Sequence, residues 1–152
     1  MPKLSVEEMT QYGVVVDGEV MDNGEQRFRL MLNGNGYVWT QPSADQPPAW
    51  QNAHLHKGVL ETYIVQTGKI AVASLYEGER MVKIYHAGDV VTTELNVPHN
   101  VYLFAGAGIH TVKHGTPIGN PEKSGADWYP ADPDFDVWSK SLNEATINEL
   151  AS

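Results

Sequence analysis

Short runs of alternating apolar and polar residues dominate the chain from Val14 to His114, and clusters of Gly, Asn and Asp separate them. Alternation at period two sends successive side chains to opposite faces of a strand. The pattern predicts strands at Val14 to Val16, Arg27 to Leu32 and Tyr37 to Thr40, divided by the turn-forming Asp22-Asn23-Gly24 and Asn33-Gly34-Asn35-Gly36. A proline-bearing loop, Gln41 to Pro48, leads into Ala53 to His56, Glu61 to Gln66, Lys69 to Tyr76 and Met81 to His86, then Val90 to Glu94, His99 to Phe104 and Ile109 to His114. Many short strands at this spacing predict an all-β sandwich or barrel, here a double-sheet jelly roll.

The ends read differently. Ser5 and Glu8 have capping-box spacing and predict a short helix through Gln11, stopped by Gly13. Residues 116–138 are rich in Pro, Gly and Asp with Trp128, Tyr129, Phe135 and Trp138 interspersed, which predicts an ordered coil packing its aromatics on the barrel. Asp132, Asp134 and Asp136 read as surface charge there, not as a second metal site. Ser141 and Glu144 repeat the capping-box spacing, and Leu142, Ile147 and Leu150 mark a C-terminal helix. The expectation is one domain over residues 1–152, with a barrel core over about 25–118 and a C-terminal extension over 119–152.

A net charge of -9 without any Lys/Arg run argues against a nucleic-acid partner and leaves few obvious anion sites. The chain has no cysteine, hence neither a disulfide framework nor thiolate zinc chemistry. Met1 to Thr10 lacks a basic start and an apolar stretch, and no run approaches membrane-spanning length. The expectation is a cytoplasmic protein with no membrane partner.

The chemistry concentrates in one constellation. His54 and His56 share a strand face; Glu61, beyond the Lys57-Gly58 turn, can return to that face on the next strand, with Gly68 following. Chance produces His-x-His-x4-Glu-x6-Gly in a chain of this composition roughly once in a thousand sequences. His99 completes three nitrogens and one carboxylate, a set that suits a borderline divalent metal and leaves positions open for water or substrate.

These residues resemble the two motifs of the cupin superfamily. The first is matched by His54, His56, Glu61 and Gly68, and the second by Gly88 and His99. The resemblance covers residues 50–105 closely, and it departs at Pro48, Glu94, Asn96 and Leu103, where the motifs carry Gly, Pro, Gly and Asn. Asn tolerates the left-handed backbone second only to Gly, so Asn96 can hold the same turn. The resemblance implies a double-stranded β-helix barrel and metal-ligand roles for His54, His56, Glu61 and His99. It also implies one divalent metal per chain (Fe, Mn, Zn, Ni or Co) and a homodimer.

Alternation turns Tyr63 and Val65 inward with Glu61, and Val101 and Leu103 inward with His99. A hairpin over Ala105 to Gly108 pairing Phe104 with Ile109 would set His114 opposite His99, as a proton shuttle or a group beside the metal; a one-residue slip turns Thr111 and Lys113 inward instead. Tyr63 is a candidate acid or hydroxyl donor. Trp50, Gln51, Trp39 and Tyr102 are candidates to line the mouth for a small polar ligand such as a sugar.

By resemblance, the leading expectation is a metal-dependent enzyme on a hydroxylated or keto substrate, of the sugar isomerase or epimerase type. An Fe(II)-dependent dioxygenase and a non-catalytic ligand-binding cupin are the alternatives, and fold does not choose among them.

Overall fold

The computed structural model describes residues 1–152. Helix α1 (Val6–Gln11) opens at Ser5, whose hydroxyl accepts from the Glu8 amide while the Glu8 carboxylate accepts from the Ser5 amide. Two donors that a helix start leaves unpaired are thereby satisfied.

Eleven strands follow: β1 (Val14–Val20), β2 (Gln26–Leu32), β3 (Asn35–Gln41), β4 (His54–Leu55), β5 (Val59–Thr67), β6 (Lys69–Tyr76), β7 (Glu79–His86), β8 (Val90–Thr92), β9 (His99–Leu103), β10 (Gly108–Gly115) and β11 (Tyr129–Pro130). They form two antiparallel sheets, one in the order β1-β2-β3-β10-β5-β8 and the other β11-β4-β9-β6-β7. This is the jelly-roll arrangement the alternation predicts. Between the sheets lies a core of Tyr63, Val65, Ile70, Val101, Leu103, Ala107 and Ile109. Tyr63, Val65, Val101 and Leu103 face inward as their parity requires.

The hairpin expected between β9 and β10 does not form. β9 pairs with β6 and β4, whereas β10 pairs with β3 and β5 in the other sheet. Residues 104–107 carry the chain from one sheet to the other, and Ile109 lies beside Thr40 and Val65. Thr111 and Lys113 therefore turn inward, and His110, Val112 and His114 turn outward.

Strand β9 is buried on both faces. His99, Val101 and Leu103 look into the barrel, and Asn100 and Tyr102 look toward two C-terminal helices, α2 (Pro133–Ser141) and α3 (Glu144–Leu150). Ala71 and Ala73 of β6, both fully buried, let those helices approach closely. Helix α2 corrects the expected coil over 116–138: Asp132 caps it by accepting from the Asp134 amide, with Pro133 at its first position, where a missing amide proton costs nothing. Asp136 accepts from the Ala53 amide and pairs with Lys140, so it is a structural anchor more than free surface charge. Helix α3 starts at Glu144, capped by Asn143 reciprocally with Thr146, and not by Ser141, which ends α2.

Gly58, between β4 and β5, carries a close approach: a Cβ there would collide with the Thr116 carbonyl oxygen. Gly68 holds the β5–β6 turn at φ 66°, where a Cβ would sit 2.9 Å from Ala107 Cα. The outer face of the larger sheet keeps Val16, Val20, Phe28, Leu30 and Leu32 exposed. No helix is long and apolar enough to cross a membrane.

Candidate metal centre

The two sheets bring the four predicted donors together from opposite sides. His54 stands directly across from His99 in the β4–β9 ladder, and His56 follows two residues on. Glu61 comes from β5 in the facing sheet, where its Cα partner is Lys113 of β10. Asn96, at φ 63°, makes the left-handed turn ahead of His99.

Each imidazole is oriented by the backbone. His54 Nδ1–H donates to the Asn52 carbonyl at 2.8 Å, His99 Nδ1–H to the Val97 carbonyl at 3.1 Å, and His56 Nδ1–H to the Asp127 carbonyl. That bonding aims each Nε2 inward, where in the neutral imidazole it carries the lone pair a metal would take; at His56 the inward nitrogen donates its N–H to Glu61 Oε1 at 2.6 Å. The three Nε2 atoms lie 3.5, 2.6 and 3.3 Å from Glu61 Oε1 for His54, His56 and His99. All four ligand atoms lie within 4.8 Å of one another, and all four side chains are buried.

A first-row divalent ion bound at about 2.1 Å needs donors roughly 3 to 4 Å apart, so small adjustments seat it. The donor chemistry fits as well, since neutral imidazole with one carboxylate suits several such ions. The cluster thus suits a divalent metal.

For His54 and Glu61 the electrostatics agree with that ligand state, whereas at His56 they favour a proton that an ion would displace. Burial depresses the His54 pKa to about 4, with the neighbouring His99 adding to the effect, so this imidazole is neutral near pH 7. Burial would lower His56 too, but its bond to Glu61 raises it. Burial alone would push the Glu61 carboxyl up; the Lys113 ammonium and the three imidazoles hold it well below the usual range. Burial and then the Glu61 charge push the Tyr63 phenol well above its ordinary value, so it stays protonated and donates to Glu61 Oε1 at 3.2 Å.

Asp127 locks the turn beside the site. Its carboxylate accepts from the amides of Lys57, Gly58 and Val59, each at 2.8 Å, and of Ile118 at 3.2 Å, while its carbonyl holds His56. Burial would raise its pKa, yet these amides together lower it.

The other sequence candidates divide. Gln51 lines a cleft of ≈ 370 Å³ beside His54 and donates to both oxygens of buried Glu25. Trp50 lines the same cleft at one edge, but its Nε1–H is committed to the Leu142 carbonyl and its ring packs on Tyr102. Tyr102 does not reach the mouth: it is buried beneath α3 and donates to Glu144. Trp39 sits on the outer sheet face against His110, because its parity matches Phe28 and not Arg27. His114 is also outside, exposed and bonded to Thr62 Oγ1 at 3.0 Å. Its proposed place is taken by Lys113, whose Nζ is 3.6 Å from Glu61 Oε2.

Three residues that alternation alone did not single out complete the site. Trp128 stacks on His54 at 5.2 Å, and Arg27 and Arg29 line a smaller cavity of ≈ 80 Å³ shared with Glu61 and Tyr63. The Arg27-x-Arg29 spacing gave these arginines a common face; nothing local said that the face was the inner one.

No family model matches the chain, and no curated protein matches it by sequence. Solved structures do. The oxalate decarboxylase of Lactobacillus farciminis, in a formate complex, has a TM-score of 0.57 at 16% identity, over 89% of this chain and 41% of that one. The cupin domain of Drosophila melanogaster CENP-C has a TM-score of 0.52 at 14% identity, over 74% and 82%. KdgF from a Halomonas species has 0.50 at 16%, over 78% and 89%. The protein has the cupin fold, with a His-His-Glu-His group that suits a metal at the barrel centre. Identities this low define the fold and leave the reaction open.

Proposed function

We propose that the protein is a metal-dependent enzyme acting on a small hydroxylated or keto substrate, of the isomerase or epimerase type. The observation that carries this reading is the convergence of three imidazole Nε2 atoms, each aimed by a backbone carbonyl, on one buried carboxylate. His54, His56, His99 and Glu61 would hold the ion. A bound divalent ion supplies Lewis acidity, which polarises a carbonyl or lowers the pKa of a hydroxyl.

The chain supplies the rest. Tyr63, protonated and dry, donates a hydrogen bond to the carboxylate and lines the shared cavity; in this reading it would redirect that proton to a substrate oxygen. Lys113 presents a second proton-bearing group from the opposite strand, in the role expected of His114. Trp128 and Gln51 wall the approach beside His54.

Protein purified without added metal or chelator should carry close to one divalent ion per chain, and His54→Ala far less. Elemental analysis measures both; absence of metal from wild type, even after reconstitution, would remove this reading. Iron as the resident ion would move it toward oxygen chemistry.

A homodimer belongs to the same proposal. Its support is the exposed apolar row Val16, Phe28, Leu30 and Val112 on the larger sheet, a face that antiparallel sheets ordinarily cover or keep polar. Sedimentation should show two chains per particle.

A further inference from the structure

Among buried side-chain nitrogens and oxygens of the chain, one has no hydrogen-bond partner: Arg27 Nε. Such a group is rare enough in a folded protein to require an explanation. A guanidinium has five N–H donors, and within the protein Arg27 uses its Nη2 alone, to Glu25 Oε1 at 3.0 Å. Glu25 is 2% exposed and also takes both contacts from Gln51, so it holds the guanidinium in place without saturating it.

The surroundings are cationic. Arg27, Arg29 and Lys113 line the cavity that also contains Glu61, Tyr63 and His54. The adjoining cleft adds Lys123, whose Nζ lies 5.1 Å from the Trp128 ring centroid. Four of the chain's ten Lys and Arg residues therefore gather at one opening of a protein whose net charge is -9. Arg29 is paired with Asp17 and Glu19 on β1, and Lys113 with Glu61. Arg27 and Lys123 keep donors to spare, and Lys113, which faces Glu61 Oε2 while the imidazoles gather on Oε1, borders the same cavity.

We propose that this opening selects a small organic acid: Arg27, with Lys113, binds the ligand's carboxylate while an oxygen elsewhere on the ligand faces the His54, His56, His99 and Glu61 cluster. This rests on the metal-dependent reading above and narrows its substrate class to anions. Nε itself is closed off, but Nη1 makes no bond within the protein and is not buried, and beside Nη2 it offers a planar pair of donors that matches the two oxygens of a carboxylate.

The test uses the intact, metal-reconstituted protein and two pairs of probes that differ in charge, malate with malamide and glucuronate with glucose. Titration calorimetry reads affinity, with metal content measured on the same samples. At least one acid should bind about tenfold or more tightly than its neutral counterpart, and Arg27→Gln should abolish that preference while retaining the metal. Arg27→Lys, which keeps the charge beside Glu25 but loses the fork, should show an intermediate preference and serves where the glutamine variant folds poorly. Equal binding of acid and neutral partner, or an unchanged preference in both variants, would overturn the assignment. A wild-type protein that takes up no metal, yet prefers acids through Arg27, would sink the metal reading and leave the anion site standing.

Discussion

Glu61→Gln should leave the barrel folded and strip it of its affinity for metal. The amide matches the carboxylate in shape and still accepts from Tyr63, but it removes the only anion among four donors. Loss of residues that merely orient ligands costs about 10- to 100-fold in metal affinity, so loss of the charged ligand itself should cost about 100-fold or more. Thermal melts give a reading independent of activity. At a thousandfold excess of metal over its dissociation constant, wild type gains about 4 kcal/mol, which for a chain of this length is on the order of 10 °C. At about 100-fold weaker affinity the variant should gain only about 1.4 kcal/mol, roughly 3–5 °C, and less if the loss is larger. Its metal-free form should melt close to metal-free wild type, because relief from burying a charge opposes the loss of the Lys113 pairing. Full metal occupancy in Glu61→Gln would exclude Glu61 as a ligand.

Phe135→Ala should be the most damaging single change outside the site. Phe135 is 1% exposed and sits where α2 meets Trp50, Tyr102 and Ile147. Truncating a buried Phe costs about 3–5 kcal/mol, or roughly 10 °C in melting temperature here. The effect should also reach the metal centre. Asp136 of the same helix bonds the Ala53 amide, Lys140 bonds Asn52, and the Leu142 carbonyl takes the Trp50 indole N–H. These contacts brace the segment that delivers His54, so metal affinity should fall along with stability. Val137, two residues on and 66% exposed, provides the control: its replacement by Ala should change stability by less than about 0.5 kcal/mol. A Phe135→Ala protein that melts like wild type would show that α2 is not part of the cooperative fold.

Much of the site was legible before folding. The His-x-His parity, the return of Glu61 after Lys57-Gly58, and the later His99 named four side chains that the structure gathers within 4.8 Å. The inward parity of Tyr63 and Leu103 and the capping box at Ser5 were equally readable. Each depends on a few neighbouring residues and a fixed period, and such signals survive whatever the distant chain does.

The residues around those ligands were a different matter. Ala105 to Gly108 look like a hairpin turn when read locally, yet the chain crosses between sheets there, and that single difference exchanges His114 for Lys113 beside Glu61. Trp39 and Tyr102 were on strands as expected but on the wrong faces for a mouth. Helix α2 was hidden by a Pro- and Asp-rich stretch whose residues are helix-starting signals only once Asp132 is known to be a cap. The sequence by itself determined the strands, their parity and the four side chains that could hold a metal, because periodicity and spacing are local. Only the tertiary structure decided which strands face one another, and with that which cations, aromatics and proton donors surround the centre. Pairing is set by contacts between residues far apart in the chain, such as Trp128 on His54 and Lys113 beside Glu61, and no local pattern encodes them.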